Sequence, residues 1–263
     1  RFRQNHDFLL LFSNDLHHIK LVNSITYQAL YTAVDKISAT EDEDIDCSDV
    51  DGTNCYCDDE ALATITSRIK DIDCNGIHFI DSGNFHYLSK LWTDKITENF
   101  NLLVFDHHTD MQEPQFGDIL SCGGWIKKVL DENKNINKVF LLGVRNDLAK
   151  QISPEYEDKV ECINESSICE CNLEYLMEKD GTLPLYISID KDALCEDDAI
   201  TNWDQGTMTL QQTETIISAF AKKCKILGID VCGEPNTEDT NSDANTINNR
   251  TNAQLIEFLN QLE

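Results

Sequence analysis

The stretch NLLVFDHHTDMQ (101–112) changes character half-way: the apolar run Leu102 to Phe105 gives way to carboxylates and imidazoles. Such a run reads as a short buried strand. Side chains alternate across an extended backbone, so Asp106, His108 and Asp110 share one face while His107 and Thr109 point to the other. Two more segments are built alike. LPLYISIDKDAL (183–194) is an apolar strand that ends in acid-x-acid, which sets Asp190 and Asp192 on one face and leaves Lys191 as a supporting or packing residue. GIHFIDSGNFHYLSKLW (76–92) reads as a strand, a turn at Ser82-Gly83-Asn84 and a helix, with His86 at the helix start, within reach of the strand ends.

All six polar residues, His86, Asp106, His108, Asp110, Asp190 and Asp192, therefore fall at the C-terminal ends of expected strands, where open α/β sheets carry their sites. Two imidazoles and four carboxylates suit a divalent ion of intermediate hardness, and a shared carboxylate can hold two such ions about 3.5 Å apart. Manganese is the first choice of metal, with zinc and iron(II) as alternatives.

These segments resemble the signatures of the arginase, agmatinase and formiminoglutamase family, the ureohydrolases: a Gly-x-x-His, an Asp-x-His-x-Asp and a Ser-x-Asp-x-Asp segment. Gly83 to His86, Asp106 to Asp110 and Ser188 to Asp192 stand in those places and in that order. Gly206-Thr207 is a weaker echo of the family's Gly-Thr. The resemblance implies two manganese ions, with His86 and Asp110 serving opposite metals and Asp106 and Asp190 bridging them. It further implies attack by a metal-bridging hydroxide on the sp² carbon of a guanidino, amidine or amide substrate, with Asp110 orienting the nucleophile. A small cationic substrate is expected, and the family's habit of forming trimers or hexamers implies a homo-oligomer.

Two departures bear on the substrate. Members that act on arginine carry a proton-shuttle His downstream of the Asp-x-His; this chain has Ser121-Cys122-Gly123-Gly124 there, which leaves Asp110, Glu234, Asp118, Glu113 and His107 as candidate shuttles and Cys122 as a candidate substrate contact. The family's Asp-x-x-Glu, whose Glu meets the guanidinium, becomes Asp230-Val-Cys-Gly233, with Glu234 one residue late. Either a bulge returns Glu234 to register or the contact has changed. Two rival readings remain: a zinc deacetylase-type amide hydrolase using only Asp106, His108 and Asp190, with His17-His18 as the upstream pair, and a metal-retaining binder without turnover.

Length and composition agree with one α/β domain over residues 1–263. Forty-eight acidic against 21 basic residues give a net charge of −27, which disfavours nucleic acid and anionic membrane and attracts cations. No apolar run nears the ~20 residues of a membrane span, and Phe8 to Phe12 is shorter than the ~7–15 residues of a signal core. Eleven scattered cysteines do not form a secreted disulfide framework, so a reduced cytoplasm is expected. The close pairs Cys55/Cys57 and Cys169/Cys171 lack Cys-x-x-Cys spacing.

Beyond the acidic segment 41–60, read as a solvated loop or a lid, strands are expected at 76–80, 101–105, 137–144, 159–163, 185–189 and 225–231. Helices are expected at 61–70, 86–96, 124–132, 166–178, 209–223 and 248–262. Alternation with continuous apolar strands predicts a three-layer α-β-α sandwich around a mostly parallel sheet. Residues 1–60 pattern poorly, with one strand expected near 8–12 and a helix near 25–37.

Overall fold

The structure, a computed structural model, describes residues 7–11, 43–114, 117–170, 176, 183–235 and 242–262. Its centre is a sheet of eight strands: β1 (Asp7–Leu11), β2 (Glu43–Asp46), β4 (Ile77–Ile80), β5 (Phe100–Phe105), β7 (Ile136–Val144), β8 (Val160–Asn164), β9 (Leu185–Asp190) and β10 (Ile226–Cys232). They lie in the order β2-β1-β4-β10-β9-β5-β7-β8, every pairing parallel. Two short strands, β3 (Tyr56–Cys57) and β6 (Leu120–Ser121), form a separate antiparallel ribbon.

Period-two alternation splits the core into two layers. Leu102 and Val104 of β5 face one side with Ile65 and Ile69 of α1 (Asp59–Ile69), Trp92 of α2 (Leu88–Thr93) and Val129 of α3 (Trp125–Glu132). Leu103 and Phe105 face the other with Ile217 and Phe220 of α4 (Leu210–Ala221) and Leu255 and Leu259 of α5 (Ser242–Leu259). This is the expected three-layer sandwich. Because both faces of the central strands are covered, β5 and β9 are buried along their whole length, which is why they are dominated by apolar residues on both faces.

Local signals set the helix boundaries. The Asp58 carboxylate accepts from the Ala61 N–H at 2.9 Å to cap α1, and Thr209 and Gln212 make a reciprocal capping box at α4. Departures from expectation have physical causes. Segment 41–60 is not wholly loop: its start is the edge strand β2, where Ile45 and Cys47 are buried while Asp46 is exposed. An edge strand studded with acids resists pairing with other chains, and those acids hide its strand character. The helix expected at 86–96 is preceded by a 3₁₀ turn, Gly83–Phe85, and shortens to α2. The segment expected as helix 166–178 opens as a 3₁₀ run, Glu165–Glu170; most of its remainder, together with the helix near 25–37 and His17-His18, lies outside the described residues.

His78, in the middle of β4, is fully buried and stacks on Trp92 with ring centroids 3.9 Å apart. Burial first, and then the nearby Lys95 charge, hold its pKa down to about 4, although the Cys74 carbonyl 3.0 Å from Nε2 works the other way. A folded-state pKa below the unfolded value means that the unfolded chain takes up the proton first as pH falls. Stability contributed by neutral His78 is thus complete above about pH 6.5 and is lost down to about pH 4, by about 3 kcal/mol in all. Urea unfolding of wild type and His78→Gln across this window should show the gap between them narrowing as pH falls; a gap independent of pH would contradict a buried neutral imidazole.

Candidate metal centre

The C-terminal ends of β9 and β5 lie side by side, with Phe105 opposite Ile189, so the chain leaves both strands into one cleft. Asp106 follows β5 directly, and Asp190 closes β9 and turns into a 3₁₀ turn that carries Asp192. His86 arrives from the turn after β4, on the far side of β10.

The side chains form two poles. At one, His86 Nδ1 lies 3.0 Å from Asp110 Oδ2, 3.3 Å from Asp106 Oδ2 and 3.4 Å from Asp190 Oδ2. At the other, His108 Nδ1 lies 2.8 Å from Asp192 Oδ2 and 3.5 Å from Asp106 Oδ1. Ligand atoms of His86, Asp106 and Asp110 fall within 4.8 Å of one another, as do those of Asp106, His108 and Asp192, so Asp106 belongs to both groups. The division implied by resemblance, with His86 and Asp110 on opposite ions, is not the one seen: they share a pole, with His86 Nδ1 and Asp110 Oδ2 only 3.0 Å apart.

Backbone donors aim the carboxylates. The His108 N–H donates to Asp106 Oδ1 at 2.6 Å, the Asp192 N–H to Asp190 Oδ1 at 2.9 Å and the His107 N–H to Asp192 Oδ1 at 3.0 Å. Asp110 sits in the left-handed region at φ 48°, a conformation that costs a non-glycine residue about 1 kcal/mol. Trp125 holds it there, its Nε1–H donating to Asp110 Oδ2 at 2.7 Å. Behind His86, Nε2 meets Ser188 Oγ at 2.9 Å and Ser188 donates to the buried Asp230 at 2.7 Å, a relay that orients the ring.

The electrostatics call for a cation. Four carboxylates and His86 are at most 6% exposed. Burial, reinforced by the Asp106 charge, pushes Asp110 up to about 7, and burial with Asp190 and Asp106 raises Asp192 well above the usual carboxylate range. Burial would lower His108, but Asp106 and Asp192 lift it to about 12. Asp106 Oδ2 is buried without a hydrogen bond among the described residues. An acceptor lone pair aimed at that gap, between two imidazoles and three further carboxylates, is matched by divalent metal ions; the residues present fit a two-metal centre.

The surrounding cleft, about 310 Å³, is walled by Tyr56, Gln112, Glu113, Cys122 and Trp203 among others. Cys122 thus reaches the cleft, and of the candidate shuttles beyond Asp110 so does Glu113. His107 is turned towards Glu165, 3.9 Å away, and Asp118 pairs with Lys128 at 2.9 Å on the surface. Glu234 does not line the cleft. Its Oε1 is taken by the buried ammonium of Lys191 and by Asn252 Nδ2 at 2.7 Å, and its Oε2 by Asn248 Nδ2 at 3.2 Å. The Lys191 charge keeps this carboxyl below its usual range despite the opposing effect of burial. No bulge returns it to register: at the preceding position, Gly233 (φ 94°), a Cβ would come within 2.6 Å of Asp190 Oδ1. The sequence alone points to neither Trp125 nor Trp203; the Gly-Gly-Trp at the start of α3 is the available signal for the first, and Trp203, in an irregular loop, offers none.

The fold recurs in solved structures at low sequence identity. Proclavaminate amidino hydrolase from Streptomyces clavuligerus superposes with a TM-score of 0.68 at 15% identity, covering 98% of this chain and 92% of its own. Arginase from Bacillus subtilis gives 0.64 at 14%, covering 99% of each. An uncharacterized Thermotoga maritima protein is 34% identical over 160 residues, 61% of this chain; the match spans only 58% of that relative's length. A model of the arginase family matches residues 24–256, nearly the full length, and the chain belongs to the arginase family.

Proposed function

We propose that the protein is a binuclear, manganese-dependent hydrolase of a C–N bond in a small cationic guanidino, amidine or amide compound, acting in the cytoplasm. The observation that carries this reading is the sharing of Asp106 between two ligand groups, His86 with Asp110 and His108 with Asp192, which supports two adjacent ions where a deacetylase-type centre needs one. Asp190, whose Oδ2 faces His86, is the second bridging candidate. Two bound divalent ions would supply a water acidified towards about pKa 7 and a Lewis acid for the reacting carbon's substituents.

The chain's own groups do the rest. Asp106 Oδ1 and Asp190 Oδ1 are engaged by backbone N–H groups; Asp106 Oδ2 is left to face a cation, while Asp190 Oδ2 faces His86 and accepts from the Cys232 thiol at 3.2 Å. Asp110 Oδ2, pinned by Trp125, is the atom that takes a proton from the attacking water and returns it to the leaving nitrogen. Among the described residues, Glu113 is the one acidic side chain of the cleft wall outside the six ligands; it is largely exposed, 3.5 Å from Lys127 Nζ, and a cationic group would meet it in competition with that lysine. With Glu234 committed to Lys191, the guanidinium contact passes to this wall, and arginine itself loses its usual partner. Trp203 and Cys122 line the same wall and bound the substrate's size.

Metal analysis of manganese-loaded protein should return two ions per chain, with urea or ammonia released from one member of a panel of agmatine, arginine and guanidino acids. Asp110→Asn, which keeps a residue tolerant of the left-handed backbone, should lose one ion and at least about 10²-fold in turnover. One zinc with amide cleavage would favour the deacetylase reading, and bound metal without turnover the non-catalytic one. Ser188→Ala, which removes the hydroxyl between His86 and Asp230, should weaken metal binding by about 10–100-fold; an unchanged Kd would mean that the relay does not orient the ligand.

A further inference from the structure

Two thiols that the hydrolytic reading leaves without a chemical role face each other at the mouth of the cleft. Cys55 and Cys122 flank the β3–β6 ribbon: Tyr56 pairs with Ser121, so the residues one step outward, Cys55 and Cys122, are directly opposed. The Cys122 N–H donates to the Cys55 carbonyl at 2.9 Å. Hydrogen-bonded residues opposed in this way stand about 5.5 Å apart at Cα, within the ~4.4–6.8 Å a disulfide spans. Both residues line the cleft.

The loop that carries Cys55 is held in place rather than left to wander. The buried Tyr87 hydroxyl donates to the Thr53 carbonyl at 2.6 Å, and Asn84 Nδ2 to Asn54 Oδ1 at 2.8 Å. Cys55 itself is fixed at φ 61°, a left-handed conformation rare for a residue with a Cβ. Strain of this kind persists where the surroundings over-determine it and collects at functional positions.

From this juxtaposition we infer that Cys55 and Cys122 form a redox-modification site that peroxides convert to a disulfide across the mouth of the metal cleft. Cys55 is partly exposed and Cys122 buried; the neighbouring Cys122 thiol, working against burial, draws Cys55 down to about 7, and Cys55 together with burial keeps Cys122 protonated, so Cys55 is the attacking sulfur and Cys122 the resolving one. The Cys55 thiolate attacks a peroxide oxygen; an S–O bond forms, the O–O bond breaks and hydroxide leaves. Cys122 sulfur then attacks the Cys55 sulfenic acid, the S–S bond forms, the S–O bond breaks, and water departs with the Cys122 proton. The thiol pair is oxidised by two electrons, and hydrogen peroxide is reduced to two waters. The link ties the segment that carries Cys55 to the turn Cys122–Gly124, two sides of the cleft.

The test is a timed peptide map under non-reducing conditions of the full, folded chain exposed to equimolar hydrogen peroxide. The expected result is a Cys55–Cys122 link, with loss of two hydrogen atoms from the intact mass, formed at least about tenfold faster than oxidation of the exposed Cys169. In Cys122→Ser the reaction should stop at a sulfenic acid on Cys55 that dimedone traps, and in Cys55→Ser the trapped adduct should vanish from this site. Oxidation that reaches Cys169 first, or peroxide-treated wild type without the link, overturns the inference. The wild-type map decides alone if a variant fails to fold. No metal or substrate enters the experiment, so its outcome stands apart from that of the hydrolase assay.

Discussion

Mutual repulsion among Asp106, Asp110, Asp190 and Asp192 is the constraint around which the rest of the molecule is arranged. Taking several like charges out of water costs several kcal/mol for each ion unless something compensates. Compensation here is incomplete: backbone N–H groups serve one oxygen of Asp106, Asp190 and Asp192, and the imidazoles of His86 and His108 serve part of the remainder. The deficit of positive charge is localised between the two imidazoles and is geometrically defined. A sheet buried on both faces supplies the rigidity that keeps the carboxylates from relaxing apart, since strand ends held in a parallel ladder cannot move independently. Stability has thus been given up locally in return for a place suited to a cation, a common arrangement at functional sites.

The same tension explains the neighbourhood of Lys191 and Glu234. Lys191 lies between two of the clustered aspartates in sequence, yet alternation turns it to the far side, where it is fully buried. A buried ammonium needs a partner, and Glu234 with Asn252 supplies it. That pairing removes from the cleft the carboxylate that family resemblance assigns to the substrate. Gly233, pressed against Asp190, leaves no room for a side chain to take its place. The cleft wall therefore differs from the one that resemblance implies, for reasons of packing and charge that lie one layer behind it.

Much of the architecture was legible because physics writes buried parallel strands plainly. Leu102 to Phe105 is a continuous apolar run and Leu185 to Ile189 one broken only by Ser188, and each ends where acids begin, which marks both the strand and the site. Features set by contacts across the fold were not legible. The edge strand β2 carries a single apolar residue, Ile45, among acids, and no periodic pattern survives that composition. Capture of Glu234 depends on Asn252 in α5 and Lys191 after β9, a meeting of residues as far as 61 positions apart. Division of the ligands into poles likewise depends on where the turn after β4 is carried by the sheet order, which no local spacing encodes. Trp203 enters the cleft from an irregular loop whose path is set by Asn84 and Thr201.

Strand β10 is hydrogen-bonded between β4 on one side and β9 on the other, although Ile77 at the start of β4 precedes Ile226 at the start of β10 by 149 residues. Until residues 226–232 insert, the part of the sheet that carries His86 has no hydrogen-bonded connection to the part that carries Asp106, Asp110, Asp190 and Asp192. Pairings this remote in sequence are slow to form because the intervening loop must close first. On the ribosome, the ligands of this centre are therefore synthesised well before they can meet. The two parts of the sheet can be joined only after residues 226–232 have been made, so the six side chains of the candidate centre come together in the closing steps of folding.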